Sequence, residues 1–329
     1  MSFSSCFYIA LRYLFFLIVV VPAIGVGQTV AGFCNATYGS SADDLKGPWG
    51  IFLSSVDGTL YVADCDCNTY QTFAPFTRKG SVLFSGNIIQ ALDIFLDNSG
   101  TIYMVDGGSC NDSFVYIQRA GVIVRRFPAA GLSTDACLSN GIRSAYSIGV
   151  DSSGNMYISQ YTCDMVAKWA SNATSGTLVV GVRGTSGTSN NMLYNVRFII
   201  LDEIRGLLYV SDGSNNRIQQ FIIGGNGTGV TVAGSTTAGT GLNRLNYPAG
   251  ICLTRDGQTL YIADYGNHRI MKWVIGASQG SVVAGNVSGA SGSTSQLLNG
   301  PADVFLDPSE TYLYVSDYYN HRIQRFRLQ

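Results

Sequence analysis

The side chains of this chain that could hold a metal or move a proton are few and evenly spaced. His268 and His321 are its two histidines, each inside the tetrapeptide N-H-R-I. Asp64, Asp106, Asp212, Asp264 and Asp317 each close a short apolar run that begins with tyrosine, and Gln160 stands at the sixth such place. Carboxylates in a row suit a hard cation or acid–base work. An Asp at a strand end, however, also caps the following turn through its own backbone, and Arg217, Arg269 and Arg322 stand within reach as partners. The row therefore reads as structural. The histidines hold equivalent places in successive repeats, too far apart for one metal with bonds of ~2 Å. They read as exposed loop residues. Nucleophilic catalysis has no foothold, because no G-x-S-x-G elbow occurs. The run GGNGTG at 224–229 resembles a phosphate loop in composition only, since it joins two strands and opens no helix.

These residues are positioned by a repeat. Near-copies of one phrase start at Tyr61, Tyr103, Tyr157, Tyr209, Tyr261 and Tyr314, at intervals of 42, 54, 52, 52 and 53 residues. A period near 50 with strand-like units points to propeller blades. The fifth unit is the clearest. An apolar run, 251–253, precedes the turn pair Asp256–Gly257, and LYIAD (260–264), HRIMKWVI (268–275) and SVVAG (281–285) follow with alternating character. That is four short antiparallel strands. The sixth unit ends at its third strand, and QTVAG (28–32) supplies the missing fourth. The expectation is an all-β, six-bladed β-propeller over 28–329, closed by pairing Gln28–Ala31 with Ile323–Arg327, which removes exposed edges.

The phrase Tyr-Val-Ala/Ser-Asp…Asn-x-Arg-Ile, preceded by Pro-x-Gly/Asp-Ile and followed by Thr-Val-Ala-Gly, resembles the NHL repeat. The likeness is strong in blades 4 to 6 and decays in blades 1 to 3. It implies a β-propeller that binds proteins, RNA or small ligands, and in a minority of cases an enzyme. Secreted enzymes of this kind, the peptide-amidating lyases, hold zinc with histidines, and this chain has too few.

Aligning the first strands places Gly50, Asp93, Ser147, Phe198, Gly250 and Asp303 at one level round the channel. Trp49, Tyr146 and Arg197 stand one residue earlier and are anchor types for a ligand. Tyr247, Tyr265, Tyr318 and Tyr319 enrich the same face in tyrosine, which offers contact area at low entropic cost. Asp93 and Asp303 could share one calcium or zinc ion across the axis.

Residues 1–27 read as a secretory signal peptide, with Arg12 before an apolar run and Gly25 and Gly27 ahead of the cut; an uncleaved anchor is the alternative. After cleavage no stable membrane span is expected. Five N-x-S/T sequons, at Asn35, Asn111, Asn172, Asn226 and Asn286, fall between strands. Cys34, Cys65, Cys67, Cys110, Cys137 and Cys163 all fall in loops of one face, and Cys252 falls in an inner strand. Three disulfides follow: Cys34 with Cys65 or Cys67, the other of these with Cys110, and Cys137 with Cys163. The rival is a thiolate zinc site built on Cys65-x-Cys67.

Charged residues make up 12% of the chain and the net charge is −1, so a basic face for nucleic acid is not expected. The composition and topology together point to a secreted binding scaffold. Its partner is an extracellular protein, peptide or glycan on one loop face. The alternative is a secreted metal-dependent hydrolase or lyase with its metal on the axis.

Overall fold

The computed structural model describes residues 25–32, 44–108, 113–127, 137, 142–171, 173 and 175–328. Among them are six antiparallel sheets of four strands each. The first strands are Pro48–Leu53, Ala91–Leu96, Ala145–Val150, Val196–Asp202, Ile251–Leu253 and Pro301–Leu306. In blades 1 to 5 the other three strands follow in sequence order, as a meander. Blade 2 ends on Val122–Phe127. Blade 6 takes its fourth strand from Gln28–Gly32, which pairs antiparallel with Arg322–Arg327 from Gln28 opposite Arg325 to Gly32 opposite Arg322. The ring closes as the sequence requires. No helix among the described residues is long and apolar enough to cross a membrane.

The alternation along each strand puts one face against each neighbouring blade. Between blades 3 and 4, Tyr157, Val166 and Val180 meet Val196, Ile199, Val210 and Phe221, all buried. Each such side chain is worth about 1.5–3 kcal/mol when removed from water, so the ring is held mainly by blade-to-blade burial.

The turn from second to third strand is one turn of 3-10 helix in five blades, ending on a left-handed residue: Asn68, Asp164, Asn216, His268 or His321, with φ of 52 to 54°. Short polar side chains tolerate that region best. The Asp row sits just before these turns and is structural, but Asp64, Asp212, Asp264 and Asp317 do not cap the turns as expected; they hold the chain that leads into their blades. Asp64, Asp106, Asp212, Asp264 and Asp317 each accept from the backbone N–H of the segment leading into their own blade, at Lys46, Gln90, Tyr194, Asn246 and Asn299. Gln160 does the same for Arg143 through its side-chain oxygen. In blades 4 to 6 the Asp also binds Arg217, Arg269 or Arg322 at 2.7–2.8 Å, and both partners are buried. Each guanidinium then donates to carbonyls of the incoming connection, as Arg269 does to Thr240, Gly241 and Arg244.

The histidines differ from the expectation of exposed loop residues. Both are half-buried. His268 Nδ1 accepts from Gly300 N at 2.9 Å and His321 Nδ1 accepts from Gly47 N at 3.0 Å. Each therefore latches its blade to the next, and His321 latches blade 6 to blade 1. Asn216 makes the equivalent bond to Tyr247 N, and Asp164 to Asn195 N. The reason is the left-handed turn, which aims the side chain sideways across the blade boundary.

Candidate functional site

In a meander, the turns between second and third strands and the connections between blades emerge on one face. Trp49, Tyr146 and Arg197 stand where first strands leave that face, in Pro48–Leu53, Ala145–Val150 and Val196–Asp202. The closed ring brings all three together on the axis. They do not line an open pocket. Each is at least nine-tenths buried, with 7%, 7% and 5% of its surface exposed. Tyrosines from the surrounding turns close over them, because rings of this size fill the narrow end of the channel.

The Arg197 guanidinium is wrapped in π faces. Its carbon lies 4.1 Å from the ring centre of Tyr247, 4.8 Å from Tyr265, 5.4 Å from Trp49 and 5.5 Å from Tyr146. Such placements are individually worth about 0.5–2 kcal/mol. Trp49 meets Tyr318 and Tyr146 edge-on at 4.8 and 5.8 Å. Tyr318 and Tyr319 meet at 4.7 Å. The hydroxyls form an outer rim in which Tyr265 donates to Tyr319 and Tyr318 donates to Asp66. Tyr319 is half exposed, at 50%.

Inside this cluster the polar atoms lack partners. Trp49 Nε1, Tyr146 Oη, and Arg197 Nε and Nη1 are buried without a hydrogen bond. Unmet buried donors cost about 1–3 kcal/mol each, and these four sit on three side chains packed against one another. Burial raises the Tyr146 hydroxyl well above its usual pKa against the opposing pull of Arg197. Burial also raises Tyr161, Tyr265 and Tyr318, so the rim stays neutral and donating.

Tyr161 is a member the sequence reading missed. It stacks on Tyr146 with centroids 5.5 Å apart, and its hydroxyl bonds that of Tyr247. A signal was present, because Tyr161 follows Gln160 as Tyr265 follows Asp264 and Tyr318 follows Asp317. Phe198, at the next level down, packs edge-on against Tyr146.

Below the cluster, Asp93 and Asp303 join blades. Asp93 accepts from Ile94 N and from Ile148 N of blade 3, and Asp303 accepts from Val304 N and from Ile51 N of blade 1. All four carboxylate oxygens thus take backbone donors. The neighbouring Gly50 and Gly250 make room, since a Cβ there would lie 2.8 and 2.1 Å from the Asp93 and Asp303 oxygens. Burial pushes Asp93 up to about 7. Burial raises Asp303 further, with the charge of Asp93 adding to the rise. Among the described residues, no three His, Cys, Asp or Glu side chains form a cluster that could hold a metal ion.

The channel then widens into a cavity of about 290 Å³, lined by Phe52, Phe95, Ile200, Cys252 and Phe305 among others. Cys252 is therefore partly open to the channel rather than sealed in the core, and burial pushes its thiol up to about 12.

Cys137 and Cys163 form the expected disulfide, with Cα atoms 5.4 Å apart. Among the described residues Cys65 and Cys67 have no disulfide partner, and the residues assigned to pair with them, Cys34 and Cys110, lie outside the described residues. So do the sequon residues Asn35, Asn111 and Asn172, and the segment 1–24. Asn226 is exposed at a turn between third and fourth strands, and Asn286 is half-buried on the connection from blade 5 to blade 6.

Comparison with known proteins agrees with this architecture. The NHL repeat family model matches residues 245–273, which span the lead-in and first three strands of blade 5. NHL repeat-containing protein 2 of Bos taurus is 34% identical over 77 residues, covering 21% of this chain. That match spans about a tenth of the relative's length. Among solved structures, a protein of unknown function from Bacteroides thetaiotaomicron superposes with a TM-score of 0.69 at 17% identity, covering 92% of this chain and 76% of its own. An auxiliary nutrient binding protein from Bacteroides ovatus gives 0.66 at 18% identity, with the same coverage. Six four-stranded blades, a repeat phrase in each and a family match on the best-kept one lead to one statement: the chain is a six-bladed β-propeller whose fifth blade matches the NHL repeat.

Proposed function

We propose that this propeller is a secreted binding scaffold, and that its ligand, an extracellular protein, peptide or glycan, docks on the tyrosine-rich loop face. The observation that carries this reading is the concentration of aromatic side chains and unmet donors on one face of the axis. Tyr319 and its neighbours offer rigid, half-exposed rings of the kind that make contact area cheaply. Hot spots of binding are enriched in Trp, Tyr and Arg, the residue types gathered here. A binding role is also the one named for the Bacteroides ovatus propeller that shares the fold. Secretion is supported by the apolar N-terminal segment, by the sequons and by the Cys137–Cys163 bridge, since disulfides persist in oxidising compartments.

The test is a glycan and peptide array probed with the purified chain, a Tyr265→Ala/Tyr319→Ala variant and an Ile204→Ser control. Ile204 is 92% exposed in a turn on the opposite face. Binding lost in the tyrosine variant and kept in the control is the expected outcome. Equal binding by all three forms, or binding by none, overturns the reading.

A further inference from the structure

We infer that the Arg197 cage recognises a carboxylate carried on an apolar body, which deepens and rests on the loop-face reading above. Four polar atoms on three buried side chains that pack on one another lack partners: Arg197 Nε and Nη1, Trp49 Nε1 and Tyr146 Oη. The first three can only donate, and the fourth can donate. A group that satisfies them all must be an acceptor.

The charge balance narrows the class further. Arg197 forms no ion pair with any described carboxylate. It carries one positive charge in a low-dielectric setting, where a guanidinium is most strongly complemented by an anion. One cation matches one singly charged group. A phosphate dianion would keep an excess charge, and its hydration shell would have to be removed against rings that cannot replace it.

The walls fix the remaining chemistry. The guanidinium is bounded by the faces of Tyr247, Tyr265, Trp49 and Tyr146 at 4.1–5.5 Å. A planar carboxylate fits beside a planar guanidinium, and the aromatic walls favour an apolar body next to it. Access is from the loop face. The bond from Tyr265 to Tyr319 lies at the exposed rim, and a net hydrogen bond of this kind holds the rings by only about 1 kcal/mol. On the cavity side the cluster is backed by Phe198, which packs edge-on against Tyr146.

The experiment follows the Trp49 indole N–H by NMR while benzoate, and separately N-acetylphenylalanine, is titrated against its own amide. Trp49→Phe assigns the signal among the three tryptophans. The expected result is a saturable shift of that signal. At least one carboxylate should bind roughly tenfold or more tightly than its amide, because bonds to a charged donor are the strong ones. The arm that responds names the source, a free aryl acid or a peptide C-terminus. The shift should be lost in Arg197→Met. Neither carboxylate exceeding its amide, or an undiminished shift in folded Arg197→Met, overturns the inference. The wild-type comparison of acid with amide stands even if that variant does not fold. Its failure leaves the array experiment unaffected, since the array reads docking on Tyr265 and Tyr319 by uncharged ligands as well.

Discussion

Arg197 of blade 4 lies with its guanidinium carbon 4.1 Å from the ring centre of Tyr247, in the lead-in to blade 5, and two of its nitrogens are buried without an acceptor. Stacking on four rings offsets part of the desolvation of the charge, but it satisfies none of those N–H groups. Such an arrangement is tolerated where function needs it.

Replacing Arg197 by Met should therefore leave stability unchanged or raise it by about 1 kcal/mol, since an unmet charged group is exchanged for an apolar one of similar length. Urea unfolding of the two proteins checks this. A loss of more than about 2 kcal/mol would mean that the guanidinium is a structural element of the cluster.

The Asp264–Arg269 pair predicts the opposite behaviour. Arg269 is fully buried, binds Asp264 at 2.8 Å and donates to four carbonyls of the segments around blade 5. Arg269→Met strands a buried carboxylate and frees those carbonyls, so it should cost about 3–5 kcal/mol. The same urea experiment distinguishes a structural arginine from the one at 197, for which a binding role is proposed.

The histidine latches carry a pH signature. Burial is the first cause lowering the pKa of both His268 and His321, and each accepts through Nδ1 as the neutral form. Their contribution is present above the usual histidine pKa near 6.5 and is lost as pH falls through the lowered folded value. His268→Asn/His321→Asn keeps an acceptor that does not titrate, as Asn216 does in blade 4. The stability difference between wild type and this double variant should shift toward the variant between pH 7 and pH 5. A difference independent of pH would sink the latch assignment.

Asp93 works in the other direction. Its folded pKa is raised to about 7, first by burial, from an ordinary 3.8. Its contribution is full below the lower value and is lost as pH rises through the upper one. Ser147 accepts from Ile199 N at the same level of blade 3, so Asp93→Ser is a replacement the ring already uses. It should cost more at pH 5 than at pH 8, by roughly 2 kcal/mol. Thermal melts at the two pH values provide the check.

The Cys137–Cys163 bridge closes a loop of 26 residues at the boundary of blades 2 and 3. Constraining the unfolded chain over that length is worth about 3 kcal/mol. Cys137→Ser/Cys163→Ser should lower stability by that amount, and reductant should do the same to the wild type but not to the variant.

Much of this protein is determined by the sequence alone, because its signals are local and repeated six times. Alternation from Tyr61, Tyr103, Tyr157, Tyr209, Tyr261 and Tyr314 specifies strands, the Asp–Arg spacing specifies the buried pairs, and the unpaired strand at Gln28–Gly32 specifies how the ring closes. The expected pairing of Cys137 with Cys163 also followed, since both loops lie on one face of neighbouring parts of the ring. The tertiary structure alone decided what happens across blade boundaries. Aligning the repeats places Trp49, Tyr146 and Arg197 at one level, but nothing in the chain announces that the guanidinium stacks on the rings of Trp49, Tyr247 and Tyr265, or that His321 meets Gly47. The same holds for the burial of Trp49 and Tyr146 beneath Tyr161 and Tyr318. These contacts depend on the twist of each sheet and on closure of the ring, which turn equivalent positions of separate repeats toward one axis. A periodic sequence encodes the blade, while the side chains that meet at the axis are set by the geometry of six blades together.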